Sequence, residues 1–197
     1  MKHFWDERYG SEEYVYGTEP NNFFKQELQK LKPGKLLLPA EGEGRNAVFA
    51  AKLGWEVVAF DYSQNGRDKA FDLAKRNQVS IEYILADYTA FSAVKESFDC
   101  VALIYAHVMD GNRAYYHQKL IEFLKPGAHV LLEAFSKEQI HNNTGGPPNL
   151  EFLFSKEELA SDFNSLSEVH IEALKIKLNE GGFHQGEADV IRLTGVK

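Results

Sequence analysis

"LLLPAEGEGRNAVFAAKLGWEVVAFDYS", residues 36–63, decides how the rest of the chain is read. It opens with an apolar run, Leu36–Leu38, and continues through a loop carrying Gly42 and Gly44. Arg45–Leu53 has helical composition and stops at Gly54, a residue suited to the left-handed end of a helix. A second apolar run, Val57–Phe60, follows and closes on Asp61. Two short apolar runs joined by a helix read as one strand–helix–strand unit of a parallel sheet. The loop itself is odd in charge. Glu41 and Glu43 stand where a phosphate-binding loop favours neutral or basic groups, so the question is what such a loop binds.

The alternation continues in both directions. Asn22 to about Leu31 has helical spacing and stops at Pro33-Gly34, and residues 67–77 read as an amphipathic helix. Strands are expected at Ile81–Leu85, Phe98–Tyr105 and Val130–Ala134. Helices are expected over Tyr115–Leu124 and from the S-x-x-E capping box at Ser155 to about Phe163. Near-continuous apolar strands alternating with helices indicate an α/β fold with a mostly parallel sheet covered on both faces. Val169–Leu178 and Ala188–Leu193 break the pattern, because the nine residues "NEGGFHQGE" between them cannot hold a crossover helix. These two strands must be antiparallel neighbours. The expectation is a Rossmann-like seven-stranded sheet, mostly parallel, with a C-terminal antiparallel hairpin. It is read as a single domain over 1–197, with an N-terminal cap and helix in 1–33 and the core in 34–197.

Composition narrows the function classes. At 197 residues, with 44% apolar and 26% charged residues, the chain suits one globular domain. No run of eighteen apolar residues and no basic-then-apolar leader is present, so neither a membrane span nor secretion is expected and the chain reads as cytoplasmic. The net charge of −7 disfavours nucleic acid as a partner. The one cysteine, Cys100, lies in an apolar run and reads as a buried strand residue. His141 and His184 fit no metal-ligand spacing, and no metal is expected.

In open α/β sheets ligands sit beyond the carboxyl ends of the strands, which makes Pro39–Asn46 the default site. Residues 42–47 satisfy G-x-G-x-x-G/A, a weak pattern by itself. Asp61 adds weight: it ends the second strand nineteen residues after Gly42, close to the spacing of a carboxylate that accepts from ribose hydroxyls. A pyrophosphate beside Glu41 and Glu43 would meet like charge. S-adenosylmethionine has the ribose, lacks phosphate, and carries a sulfonium and an ammonium group, so the acidic loop favours it over NAD.

These segments together resemble the class I S-adenosylmethionine-dependent methyltransferases. The likeness covers most of the chain: "AEGEGRNAVFAAKLGWEVVAFDYS", "LADYTAF", "FDCVALIYAHV", "FLKPGAHVLLEAF" and the terminal hairpin. Within the class, "YGTEPNNF", "GRNAVFAAKLG" and "TGGPPNLEFLFSKEEL" are similar to the small bacterial tellurite-resistance and thiopurine-methyltransferase-like group. The resemblance implies cofactor contacts at Ala40, Glu41, Gly42, Gly44, Arg45, Asp61, Tyr62, Asp87 and Tyr88, with Asp87 on the adenine amino group and Tyr88 beside the ring. Leu38 and Ala40 depart from the family, which usually begins this loop with an acidic residue and then glycine.

Methyl transfer from a sulfonium is an in-line displacement in which alignment supplies much of the rate. The fourth strand ends in "IYAHV" without the Asn/Asp-Pro-Pro-Tyr/Phe motif of amino-purine methylation, so a small-molecule acceptor is expected. His107 is the candidate base; the same residue also reads as a loop histidine bonded to backbone. Tyr105 is the second catalytic candidate, shaping the donor site or packing in the core. Trp5, Tyr9 and Arg113 are candidates for holding the acceptor, the first two from an aromatic N-terminal segment that also includes Tyr16. "TGGPPN", 144–149, reads as either a lid or a rigid connector. Two alternatives stay open: a nicotinamide-dependent oxidoreductase, and a non-catalytic protein that keeps the cofactor-binding fold. Oligomeric state is not set by the sequence.

Overall fold

A computed structural model describes residues 2–197. Seven strands form one sheet in the order β3-β2-β1-β4-β5-β7-β6, with ranges β1 Lys35–Pro39, β2 Glu56–Asp61, β3 Glu82–Leu85, β4 Phe98–Ile104, β5 Leu124–Phe135, β6 Glu168–Glu180 and β7 His184–Val196. The chain divides into two compact units. The first runs to Ser92 and includes Glu180–Phe183; the second comprises Ala93–Asn179 and His184–Lys197.

In the first unit β1 pairs with β2 and β2 with β3, all parallel, in the registers Leu36↔Val57 and Val58↔Glu82. Leu36, Leu37 and Leu38 are all buried, so both faces of β1 are covered, as an apolar run without alternation requires. Among the described residues four helices belong to this unit: α1 Lys2–Tyr9, α2 Asn22–Leu28, α3 Arg45–Lys52 and α4 Gln64–Arg76. Helix α4 starts three residues before the expected 67, because the Ser63 side chain accepts from the Gly66 amide and caps it there. Helix α1 has no clean apolar period, and tertiary bonds hold it instead. Asp6 Oδ1 accepts from the Ser63 hydroxyl at 2.7 Å and the Asn65 amide at 3.0 Å, and Asn65 Nδ2 donates to the Asp6 carbonyl at 2.8 Å.

In the second unit β4 and β5 are parallel, in the register Cys100↔His129 to Ile104↔Glu133. Helix α5, Arg113–Phe123, passes directly into β5, so Lys125-Pro126-Gly127 lies within the strand and not in a loop before it. An irregularity in register between Phe98 and Cys100 absorbs this stretch. Cys100 is buried in β4, as its apolar setting implies, and burial pushes its thiol up. Strand β7 runs antiparallel to β5, from His129↔Val196 to Phe135↔Val190. The hairpin strands are longer than the sequence pattern suggests: only Gly181–Phe183 separates β6 from β7, and so short a turn makes them antiparallel. Helix α6, Lys156–Asp162, carries the full capping box at Ser155 and Glu158. The 144–149 segment is tied down: Gln139 Nε2 donates to Thr144 Oγ1 and to the Gly145 carbonyl, and Thr144 Oγ1 donates to the Glu187 carbonyl. Among the described residues no helix is long and apolar enough to cross a membrane.

Gly44, the residue before α3, has φ 84°, and a Cβ there would lie 2.5 Å from the Ala70 Cβ on α4. Gly44→Ala is expected to destabilise the protein by roughly 2–4 kcal/mol, combining overpacking with a left-handed backbone. Urea unfolding measures this, and a change under about 0.5 kcal/mol would contradict the close packing of α4 on this loop.

Candidate functional site

The loop after β1 is built around the backbone of one residue, Gly42. The Gly42 amide donates to Asp61 Oδ2 at 3.2 Å, and the Gly42 carbonyl accepts from the Tyr83 hydroxyl at 2.6 Å. Ala40, Gly42 and Gly44 all take positive φ, at 51°, 63° and 84°. For Ala40, whose place the family usually fills with glycine, that conformation is strained, and strain of this kind concentrates at functional sites. A Cβ on Gly42 would lie 2.7 Å from the Tyr9 hydroxyl, so glycine is required here by the approach of α1.

Both glutamates are bonded within the protein. Glu41 Oε1 accepts from the Ala47 amide at 2.7 Å, and Asn46 Nδ2 reaches Glu41 Oε2 at 3.5 Å, so this carboxylate caps the N-terminus of α3. Burial pushes the Glu41 carboxyl up to about 7, against the pull of the Ala47 amide and Arg45. Glu43 is buried; its Oε1 accepts from Lys69 Nζ at 2.7 Å and its Oε2 from the Val15 amide at 2.8 Å. Pairing is what a buried carboxylate requires. This corrects the electrostatic reading of the loop, because Lys69 offsets the Glu43 charge. The Arg45 guanidinium is likewise engaged, by the Tyr16 carbonyl at 3.2 Å and Glu180 at 2.9 Å, and its role within the structure is to brace the loop.

Asp61 ends β2, 7% exposed, and also accepts from the Ser63 amide through Oδ1 at 2.8 Å. Burial raises its carboxyl to about 6, opposed by the Ser63 and Gly42 amides. Each oxygen of a carboxylate accepts about two bonds, so this one has capacity for hydroxyl donors. Tyr62 follows, half-buried. At the end of β3, Asp87 Oδ1 accepts from the Thr89 hydroxyl and the amides of Thr89 and Ala90; the Thr89 hydroxyl bond is the leading cause holding its carboxyl below the usual range. Tyr88 packs edge-on against Phe60, at 5.4 Å between ring centres.

Helix α1 lays its aromatic side over this region. Tyr9 is buried against Gly42 and Gly66, Trp5 stacks on Tyr9 at 5.5 Å, and Tyr16 lies 6.5 Å from Trp5. Burial pushes the Tyr9 hydroxyl well above its ordinary value, with Asp61 adding to the effect.

In the second unit, Tyr105 follows β4 with φ 52° and donates to Glu133 Oε1 at 3.0 Å. Glu133, buried at the register position opposite Arg192, accepts from Arg192 Nε at 2.6 Å. The Tyr105 ring lies 4.7 Å from both Phe135 and His184.

His107 does not have the geometry of a base. Its Nδ1 lies 2.6 Å from the Phe152 carbonyl, to which it donates, and its Nε2 accepts from the Phe135 amide at 3.3 Å. Burial lowers it to about 4. Of the two readings of this residue, the structure carries the backbone-bonded one. Arg113 is also redirected. Its Nε donates to Asp162 at 2.7 Å and its Nη1 lies 3.7 Å from Glu158, while the same Asp162 oxygen faces Nδ1 of the buried His117 at 2.9 Å. An arginine held this way braces α5 against α6 and is not offered here as an acceptor ligand.

Tyr83, Arg192 and Glu180 were missed from the sequence. A tyrosine or a glutamate inside a strand signals a buried polar group needing a partner, but which partner depends on tertiary pairing. Among the described residues no group of three or more His, Cys, Asp or Glu could hold a metal ion.

A family profile described as a methyltransferase domain matches residues 39–127, from the loop just described through α5. A protein of Schizosaccharomyces pombe, named as an uncharacterized methyltransferase, is 27% identical over 95 residues, covering 47% of this chain and 66% of that protein. The chain thus spans just under two thirds of the length of that curated relative. A solved structure described under the conversion of a disulfide bond into a thioacetal group during echinomycin biosynthesis aligns with TM-score 0.75 and 19% identity, covering 100% of this chain and 91% of that one. An S-adenosylmethionine-dependent methyltransferase from Methanosarcina mazei aligns with TM-score 0.71 and 16% identity, covering 91% of this chain and 98% of that one. At these identities the structural likeness is one of fold. The methyltransferase domain lying over this loop and the sheet ending in its antiparallel pair together support a class I S-adenosylmethionine-dependent methyltransferase, with S-adenosylmethionine as the cofactor.

Proposed function

We propose that this protein transfers a methyl group from S-adenosylmethionine to a small-molecule acceptor, leaving S-adenosylhomocysteine. The observation that carries the reading is Asp61: a buried carboxylate at the end of β2 whose Oδ2 accepts from the Gly42 amide and which retains acceptor capacity. A ribose diol is the donor pair that suits it. Glu41 supports a cofactor without phosphate, because its carboxylate already occupies the α3 N-terminus where a pyrophosphate would bind. Asp87 and Tyr88, at the end of β3, suit an adenine amino group and ring. Gly42 and Gly44 set the loop's path, Ala40 and Glu41 lie on it, and Tyr62 follows the ribose carboxylate.

When bound, the cofactor supplies an electrophilic methyl on a sulfonium. The chain's own part is to align the acceptor and exclude water. Tyr105, fixed by Glu133, is the second catalytic candidate. Trp5 and Tyr9, over the loop, offer an aromatic wall to the acceptor. An acceptor arriving deprotonated needs no base, which agrees with both nitrogens of His107 being engaged. The whole chain is taken as one methyltransferase domain acting in the cytoplasm, with residues 1–33 as its cap. The narrower likeness to the tellurite-resistance and thiopurine-methyltransferase-like group directs the acceptor search toward thiols and metalloid oxyanions.

Calorimetry with S-adenosylmethionine, S-adenosylhomocysteine and NAD tests the cofactor. Both adenosyl ligands should bind and NAD should not, and Asp61→Ala should weaken binding about tenfold or more, since ribose hydroxyls lose their acceptor. Unchanged affinity in that variant would place the ribose elsewhere. Binding by NAD alone would favour the oxidoreductase reading, and binding without turnover on any acceptor the non-catalytic one. For His107, the folded value of about 4 lies below its ordinary 6.5. The unfolded chain therefore takes up the proton first, and this ring's contribution to stability, complete above about 6.5, is lost as pH falls toward 4. His107→Ala should cost roughly 2–3 kcal/mol in urea unfolding, by leaving the Phe152 carbonyl and Phe135 amide without partners. The pH profile of methyl transfer between 6 and 8 should keep its shape in this variant; loss of an inflection there would restore the base role.

A further inference from the structure

Glu180 sits at the end of β6, beside the hairpin turn, yet its carboxylate is built into the far side of the sequence. Its Oε2 accepts from Arg45 Nη2 at 2.9 Å, and its Oε1 accepts from Asn21 Nδ2 at 3.0 Å. Arg45 is the first residue of α3 and, through Nη1, also donates to the Tyr16 carbonyl. The Asn21 amide donates to Asn46 Oδ1 at 2.9 Å, while Asn21 Oδ1 caps α2 by accepting from the Phe24 amide. Glu180, Arg45, Asn46 and Asn21 therefore close a ring, and Asn46 reaches on to Glu41. The turn is pressed against the same segment: a Cβ on Gly181 would lie 2.2 Å from the Val15 carbonyl oxygen and 2.7 Å from the Tyr16 Cα. The Arg45 and Glu180 side chains are each 10% exposed, so removing the carboxylate leaves a nearly buried guanidinium uncompensated.

We propose that Glu180 is a positioning residue for the cofactor loop, fixing the N-terminus of α3 through Arg45 and Asn21 so that Gly42–Gly44 present their backbone in one geometry. This rests on the cofactor reading above. The Arg45 contact pairs two opposite charges while the Asn21 contact carries charge only on the carboxylate, so the arginine arm carries more of the constraint. Glu41 and Asn46, which the ring holds, are the residues through which a displacement would reach Gly42.

The test is a double-mutant cycle read by S-adenosylhomocysteine affinity, well below the unfolding transition of every variant. Glu180→Ala should bind about tenfold more weakly than wild type, and Glu180→Asp should recover part of the loss. Adding Glu180→Ala to Arg45→Ala should weaken binding by much less than Glu180→Ala does alone, because the arginine arm is already gone and only the smaller Asn21 arm is left to lose. A purely structural role would lower the melting temperature and leave affinity intact; that result, or additive losses, overturns the proposal. If Glu180→Ala does not fold, the isosteric Glu180→Gln is read against the same criteria. Hydrogen exchange at the amides of residues 41–47 separates this proposal from the cofactor reading. If wild type binds no adenosyl ligand, the cofactor reading fails, while faster exchange in the Glu180 variant still supports the positioning role and unchanged exchange rejects it.

Discussion

The backbone of Gly42 is the constraint on which the first unit depends. Its amide is held by Asp61 and its carbonyl by Tyr83, so one residue of the loop after β1 is bonded to side chains from both following strands. Each bond satisfies a backbone group in buried surroundings, where an unmade bond costs about 1–3 kcal/mol. Tyr9 then packs where a side chain at 42 would stand, which brings α1 over the loop. The glycine, the two tyrosines and the aspartate are four answers to one geometric demand.

The acidic character of the loop has a different meaning in three dimensions from the one its sequence suggests. Glu41 serves as the anion at a helix N-terminus, and Glu43 neutralises Lys69 while binding the Val15 amide. Neither carboxylate needs a cationic ligand to be stable. The loop's answer to phosphate is occupancy more than repulsion: the donor that would take a phosphate oxygen is already bonded to the protein's own carboxylate. The conclusion drawn from charge survives, but on this altered ground.

Much of the fold was readable because apolar runs such as Leu36–Leu38 and Cys100–Ile104 leave little choice but a covered parallel sheet. The hairpin followed from connection length alone. What escaped was set by tertiary partners. Helix α1 has no apolar period to read, since Asp6 docks it on α4. Strand β5 runs through Pro126-Gly127, a pair that locally signals a stop, because Lys197 bonds this stretch: its carbonyl accepts from the Gly127 amide and its amide donates to the Ala128 carbonyl. In the site, Asp61 was legible from spacing to Gly42. His107, Arg113 and Arg45 carry the right chemistry in suggestive places, but what engages them comes from 45, 49 and 135 residues away, beyond any local pattern. Glu180 has no sequence signal at all.

The most direct test of the account is the amide spectrum of the loop during titration with S-adenosylhomocysteine. The account predicts that the Gly42 and Gly44 amides, together with the Asp61–Ser63 turn, shift in a saturable manner, and that NAD leaves them unmoved. Saturable binding that leaves these amides unshifted, or a response to NAD in place of the adenosyl ligand, would contradict it.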